Sequence, residues 1–123
     1  MSEPLYTRWG RSLDREHPLP EYPRPQFRRN SYVNLNGPWD YAFTASENRP
    51  GVWEGQIVVP FSPESALSGV GRAIRPGEVL HYRRSFTLPG DFHRGRVLLH
   101  FGAVDQLAAV SLNGQRVAYH EGG

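Results

Sequence analysis

Apolar and polar residues alternate in several short runs of the chain. In the run GPWDYAFT, at residues 37–44, the aromatic side chains of Trp39, Tyr41 and Phe43 fall on one side and smaller or polar side chains on the other. A period of two residues is the pattern of a β-strand with one buried face. The runs GQIVVPF, VLHYRRSFTLP and RVLLHFG repeat it, each bounded by Gly, Pro, Asn or Asp. Their aligned apolar residues are Ile57, Val59 and Phe61; Leu80, Tyr82, Phe86 and Leu88; and Val97, Leu99 and Phe101.

The run AAVSLNGQRVAYHE predicts a tight β-hairpin. Asn113-Gly114 is a favoured pair for a type I′ turn, because both central positions of that turn need a positive φ. An unbroken register on either side of a two-residue loop gives one apolar face, on which these pairs lie opposite each other: Leu112 with Gln115, Val110 with Val117, and Ala108 with Tyr119.

The strand runs predict an all-β fold. No stretch has a convincing helical period, although SPESALSGV is suited to one helical turn with Ser62 as its cap before Pro63. Strands that alternate on one side are typical of a β-sandwich. About six strands are visible, whereas a standard sandwich has about seven to nine. Together with the turn signal Gly122-Gly123, this count predicts a jelly-roll or galactose-binding-like β-sandwich that is incomplete at its C-terminus.

The chain before the first strand predicts an extended arm. The stretch EHPLPEYPRPQFRRNS contains four prolines, each of which lacks an amide donor and disfavours helix at the residue before it. We therefore expect a Pro-rich N-terminal arm at residues 1–31 and the β-sandwich at residues 32–123. The large side chains of Tyr22, Phe27 and Tyr32 would hold the later half of the arm against the sandwich.

Composition narrows the classes of function. All fourteen basic residues are Arg, they are scattered, and the formal net charge is only +2, which argues against a nucleic-acid surface. The chain has no Cys, so disulfides, a thiolate nucleophile and a Cys zinc site are excluded. Its N-terminus has no signal-peptide pattern and no apolar run is long enough to cross a bilayer. We expect a cytoplasmic protein with no membrane or nucleic-acid partner.

No motif in the chain indicates catalysis or a cofactor. The five His residues have no metal-site spacing, and the bare G-x-G at residues 69–71 lacks the Lys-Ser/Thr of a phosphate loop. No G-x-S-x-G elbow is present, and no spacing sets up the carboxylate pair that glycoside hydrolysis needs. Asp105, after the bend FGAVD, is predicted to cap that bend or to pair with Arg84, which interrupts an apolar strand face.

Four segments of the chain, in order, resemble the N-terminal domain of glycoside hydrolase family 2, the family of β-galactosidase, β-glucuronidase and β-mannosidase. They are YPRPQFRRNSYVNLNGPWDYAF, VVPFSPESALSGVG, LHYRRSFTLP and VLLHFGAVDQLAAVSLNGQRVAYHEGG, and they span residues 22–123. The segments PESALSG and HEGG are most similar to members of the β-galactosidase and β-glucuronidase type. The resemblance implies a jelly-roll sugar-binding domain, followed in such proteins by an immunoglobulin-like domain and a barrel with two catalytic glutamates.

The resemblance implies that catalysis belongs to the barrel of a longer, retaining β-glycosidase that binds carbohydrate, with oligomers possible. Neither the Asn-Glu pair of the family's acid/base nor its nucleophile segment occurs in this chain. In the family, H-x-GG continues into an aromatic-Thr-Pro-Phe stretch and further strands, so we expect this chain to be the front part of the domain and inert alone. No catalytic residue, metal ligand or cofactor is expected here. Glu64 and Arg72 are the loop residues considered for contact with substrate.

Two other functions stay open. A free-standing carbohydrate-binding module would bind sugars through exposed aromatic residues, and Trp53 in the turn RPGVWEG is a better stacking platform than Trp9 or the strand residue Trp39. A purely structural domain would brace a barrel and need no affinity of its own. An incomplete sandwich would also leave apolar residues partly uncovered and invite edge-to-edge pairing. Those residues are Val97, Leu99, Phe101, Val110, Val117 and Tyr119.

Overall fold

A computed structural model describes residues 6–20, 32–90, 92, 95–104 and 106–122. Most of the regular secondary structure among these residues is β-strand, with almost no helix, which confirms the prediction of an all-β chain. The elements are helix α1 (Arg8–Arg11), strands β1 (Gly37–Thr44), β2 (Gly55–Val59), β3 (Val79–Arg83), β4 (Gln106–Leu112) and β5 (Gln115–Gly122), and a 3₁₀ turn (Ala66–Ser68) between β2 and β3. The chain forms two compact units, Met1–Phe92 and His93–Gly123.

The first unit is built on a three-stranded antiparallel sheet in the order β2-β1-β3. Trp39 pairs with Ile57, and Tyr41 pairs with Tyr82. Residues directly opposite each other in a ladder share a face, so one face of the sheet carries the aromatic side chains of β1 together with apolar side chains of both neighbours. The aromatic side chains of β1 therefore share a face as predicted, but that face is only partly buried, and the buried Ala42 lies on the other face.

The core of this unit is small and lies on both sides of β2. Within the sheet, the buried apolar side chains are Ala42, Ile57 and Val58. Ile57 lies on the aromatic face, and Val58 and Ala42 lie on the opposite face, because neighbouring residues of a strand point to opposite sides. The 3₁₀ turn contacts β2. The sheet is thus covered on both faces at β2, rather than being solvated on one.

Part of the N-terminal arm packs against the start of β1. The side-chain amides of Asn34 and Asn36 donate to the carbonyl oxygens of Leu19 and Pro18, at 3.0 and 3.3 Å. Pro18 is itself fully buried. The arm is not extended throughout, because α1 forms one helical turn in which the Thr7 hydroxyl accepts from the Gly10 amide. The predicted anchors Tyr22 and Phe27, with Pro23 and Pro25, lie outside the described residues.

Three predicted strands are shorter than expected or absent. β2 ends at Val59, where the chain turns and Phe61 N donates to Val58 O, and β3 ends at Arg83, before Phe86 and Leu88. Residues 97–101 form no strand, and none of the described strands pairs with them. An alternating run needs a neighbouring backbone to complete its ladder, and the pattern alone does not supply one. Val97, Leu99 and Phe101 are each more than 40 % exposed.

The predicted helical turn after β2 is confirmed, but its cap is a different serine. Ser65, not Ser62, precedes the 3₁₀ turn, and its hydroxyl accepts from Ser68 N at 3.3 Å. The backbone of Ser62 instead closes a β-turn, because Ser65 N donates to Ser62 O. This turn uses Pro63 and Glu64 as its central residues and delays the helical turn by three residues.

The second unit contains the hairpin of β4 and β5. Asn113 and Gly114 have φ values of 50° and 82°, and Leu112 pairs with Gln115, as the turn chemistry predicts. Beyond Ser111 and Arg116 the register shifts by one residue. This irregularity is a β-bulge in which an extra residue of β5 faces β4.

The shift overturns the predicted pairs of Val110 with Val117 and of Ala108 with Tyr119. Val110 pairs with Ala118, and Tyr119 pairs with Ala109. Val110 and Tyr119 therefore lie on opposite faces, and the hairpin has no single apolar face. Val117 and Tyr119 are both more than half exposed. Neither short helix in the described part of the chain has the length and apolar character that a membrane span requires.

Ile57→Ala should destabilise the first unit by about 2–5 kcal/mol, because it removes most of a wholly buried side chain and leaves a cavity. Chemical denaturation measures the free energy of unfolding. Ile74→Ala is the matched control, since Ile74 is 47 % exposed and its loss should cost about 0.5 kcal/mol or less. Equal effects of the two substitutions would contradict this core.

Gly37→Ala should detach residues 16–20 of the arm from β1. Gly37 has a φ of 127°, and a Cβ there would lie 2.6 Å from the backbone oxygen of Glu16. In an NMR spectrum, the side-chain amide signals of Asn34 and Asn36 should move to the positions of solvated amides. Gly51→Ala is the control, since its Cβ meets no atom within 4 Å. Unchanged Asn signals in Gly37→Ala would show that the close approach does not hold the arm.

Candidate functional site

A polar pocket of about 340 Å³ opens on the face of the sheet opposite the aromatic residues. β1, β2 and β3 each contribute to it, since Asp40 pairs with both Gln56 and Arg83 in the ladders. The chain just after β3 and the docked arm complete the walls. The lining residues are Glu16, Pro38, Asp40, Gln56, Arg83, Arg84 and Ser85. Its volume is at the lower end of the range for small-molecule sites, about 300–1,000 Å³.

An ion pair between Asp40 and Arg83 forms the floor of this pocket. Arg83 donates to Asp40 Oδ2 from Nε at 3.0 Å and from Nη2 at 2.8 Å. Both side chains are more than a third exposed, so the pair contributes about 1 kcal/mol or less to stability. Within the described residues, Asp40 Oδ1 and Arg83 Nη1 form no hydrogen bond. The pair therefore holds a carboxylate and a guanidinium in place and leaves one polar atom of each without a hydrogen bond among the described residues.

The Trp53 ring packs against the guanidinium of this ion pair. The Arg83 guanidinium carbon lies 4.4 Å from the centroid of the Trp53 ring, which is a cation–π contact. Trp53 is partly buried and does not line the pocket itself. A sugar that stacked on Trp53 would have to use the ring face opposite Arg83.

Arg84 is fixed at one end of its guanidinium. Its Nη1 donates to the carbonyl oxygens of Leu35 and Asn36, at 2.7 and 3.0 Å. Its Nε and Nη2 form no hydrogen bond with any described residue. The proposed partner, Asp105, lies outside the described residues, so that pairing stays a prediction. Arg84 lies beyond the end of β3 and not within a strand face, since β3 ends at Arg83.

Arg72 lies on the other side of the sheet, against the aromatic face. Its guanidinium carbon is 3.8 Å from the centroid of the Phe43 ring, and its Nη2 forms an ion pair with Glu78 Oε2. Its backbone amide donates to Pro63 O at 2.8 Å. Arg72 Nη1 is buried without a hydrogen-bond partner among the described residues. These contacts tie the loop between β2 and β3 to the sheet.

Glu78 is held in its charged form by this loop. The Arg72 guanidinium, and the Arg75 backbone amide that donates to Oε1 at 2.9 Å, lower the pKa of the Glu78 carboxyl below its usual 4.5.

Glu64 is exposed and forms no hydrogen bond or ion pair with a described residue. The three residues that the sequence suggested for contact with substrate, Glu64, Arg72 and Trp53, are therefore not brought together. Arg72 and Trp53 lie on opposite faces of the sheet, and none of the three lines the pocket.

The side chain of His81, in β3, contacts the turn that follows β1. Its Nε2 lies 2.8 Å from Thr44 Oγ1 and 3.0 Å from Ser46 O. The Thr44 hydroxyl donates to Ser46 O at 2.7 Å, so its proton is not directed at His81. The contact therefore pins the end of β1 and does not activate a nucleophile. In the described part of the chain, no group of three His, Asp or Glu residues is placed to hold a metal ion.

The sequence contained one usable signal for the pocket. Asp40 and Arg83 both fall on the polar side of their strands, and their charges are opposite. Only the register of β1 with β3 makes them direct neighbours, and only the docked arm brings Glu16 to the rim. The pocket presents both hydrogen-bond donors and acceptors, which suit the binding of a polar molecule.

No protein-family model matches this chain, and a search of curated proteins found no match.

Arg72→Gln should raise the pKa of Glu78 toward 4.5, because the guanidinium is the main cause of its lowering. The folded pKa lies below the unfolded one, so the contact stabilises the loop above about pH 4.5 and is lost as the pH falls through the folded pKa. A ¹³C NMR titration of the Glu78 carboxyl measures it. Arg49→Gln, at an exposed loop position, should leave the titration unchanged. A Glu78 pKa that does not respond to Arg72→Gln would contradict this assignment.

Proposed function

We propose that the chain is the N-terminal sugar-binding domain of a glycoside hydrolase family 2 β-glycosidase, with a jelly-roll β-sandwich fold. One observation carries the proposal: parts of the four family-like segments coincide, in order, with the strands and the 3₁₀ turn, although VLLHF at residues 97–101 forms no strand. GPWDYAF lies in β1, VVPFSPESALSG runs from the end of β2 through the 3₁₀ turn, LHYR lies in β3, and AAVSLNGQRVAYH forms the hairpin of β4 and β5. A coincidence of this kind is what the segments of one domain would produce.

The role proposed for this chain is non-catalytic. The Thr44 hydroxyl beside His81 donates to Ser46 O, and the sequence lacks the Asn-Glu pair of the family's acid/base. Hydrolysis of the β-glycoside would belong to a barrel domain in the parent protein, reached through an immunoglobulin-like domain. This chain would brace that barrel and contribute to carbohydrate binding. The lack of Cys suits a reducing compartment such as the cytoplasm.

The proposal predicts that this 123-residue chain alone does not hydrolyse aryl β-galactosides or aryl β-glucuronides, whereas the product of the whole gene hydrolyses one of them. Release of the aryl group, followed by absorbance, measures both rates. A Glu→Gln change at the barrel's Asn-Glu pair is the control, and it should abolish turnover without unfolding the protein. Turnover by the 123-residue chain at an enzyme-like rate, or a whole gene without a barrel, would refute the proposal.

A free-standing carbohydrate-binding module is the alternative, and the polar pocket beside Trp53 favours it. Its ligand would contact the pocket directly, and no barrel would be needed. The same gene product separates the two functions, since a module would bind sugar without hydrolysing it.

A further inference from the structure

We infer that the polar pocket on the sheet, lined by Asp40, Gln56, Arg83, Arg84, Ser85 and Glu16, binds one neutral monosaccharide unit. Neither the sequence segments nor the candidates Glu64, Arg72 and Trp53 assign a ligand to this place. The inference rests on the charge balance of the pocket, on its unused hydrogen-bonding groups and on the way its charged side chains are held.

The charges of the pocket balance. Two arginines, Arg83 and Arg84, and two acidic residues, Asp40 and Glu16, line it, so their formal charges cancel. An anionic ligand placed between them would gain from the arginines and lose by approaching the carboxylates. A neutral ligand has no such loss. The balance therefore favours a neutral polar molecule over a phosphate or a carboxylate.

The unused groups are a mixture of donors and acceptors. Within the described residues, Asp40 Oδ1 is an acceptor without a hydrogen bond, and Arg83 Nη1, Arg84 Nε and Arg84 Nη2 are donors without one. Gln56 and Ser85 each add both a donor and an acceptor. A sugar hydroxyl donates one hydrogen bond and accepts others, so neighbouring hydroxyls complement such a mixture. A purely apolar or purely anionic ligand would leave part of it unsatisfied.

The charged side chains are held before any ligand arrives. Asp40 fixes Arg83 through two hydrogen bonds and Trp53 covers the guanidinium, while two backbone carbonyls fix Arg84. Less conformational entropy is then lost on binding. The pocket is open and its walls are polar, so a single sugar ring should bind with a Kd on the order of 1 mM.

The inference depends on the proposed function only in expecting a sugar, and the two can fail separately. Hydrolysis by the whole-gene product tests the proposed function. Binding to the pocket of this chain tests the inference, whether or not a barrel exists.

The test titrates the full 123-residue chain with methyl β-galactoside, methyl β-glucoside and the methyl β-glucuronide anion, and with inorganic phosphate as a second anionic probe. The glucoside and the glucuronide differ at one carbon, so their comparison isolates the charge. The readout is the change in NMR shift of the Gln56 side-chain amide and of the Arg83 and Arg84 guanidinium groups. Gln56→Ala and Ser85→Ala remove exposed pocket groups, and Gln115→Ala and Ser111→Ala are their controls on the hairpin.

A neutral methyl glycoside should shift the pocket signals and bind more tightly than either anion. Gln56→Ala should weaken that binding roughly three- to tenfold, the loss expected for one hydrogen bond, and Gln115→Ala should not change it. Asp40→Asn removes one negative charge, so it should raise the affinity for glucuronide relative to glucoside.

Three results would overturn the inference. The first is tighter binding of glucuronide or phosphate than of the neutral glycosides, which would make the pocket an anion site. The second is equal affinity in Gln56→Ala and Gln115→Ala. The third is the absence of any shift in the pocket signals up to about 100 mM sugar, a hundredfold above the expected Kd.

Discussion

The pairing of β1 on both of its edges is the constraint on which the first unit depends. β2 pairs with Gly37–Tyr41 and β3 pairs with Asp40–Thr44, so every residue of β1 has a fixed neighbour on at least one side, and Asp40 and Tyr41 have one on both. Trp39 and Asp40 are adjacent in sequence but lie on opposite faces of the sheet. Trp39 belongs to the aromatic face, and Asp40 lines the polar pocket. A one-residue slip in either ladder would exchange these surfaces.

The small size of the core explains why peripheral contacts matter. Few side chains among the described residues are fully buried, and Ile57 is the largest of them. The arm adds cover by burying Pro18 beside β1, and this approach is possible because Gly37 has no side chain. Arg72 adds cover on the other face through Phe43. Loops and arm thus extend a sheet that is too small to enclose a large core by itself.

Charged groups on the two faces have different roles for the same physical reason. On the aromatic face, the Arg72 guanidinium is partly buried between Phe43 and Glu78. Its ion pair with Glu78 holds the loop between β2 and β3. On the polar face, Arg83 and Arg84 are each fixed by some of their nitrogen atoms and retain others. A guanidinium whose contacts are all within the protein stabilises the fold. A guanidinium that is fixed in place but keeps unbonded N–H groups can also bind a ligand.

The features that could be predicted from the sequence depend on neighbouring residues alone. The features that could not be predicted depend on how distant segments pair. The alternation of Trp39, Tyr41 and Phe43 determined the faces of β1, and Asn113-Gly114 determined the hairpin turn, since each depends only on neighbouring residues. The bulge beyond Ser111 and the lack of a strand at residues 97–101 depend on which backbone lies alongside. The pocket belongs to the second class, because the ladder between β1 and β3 brings Asp40 to Arg83 across 43 residues of chain.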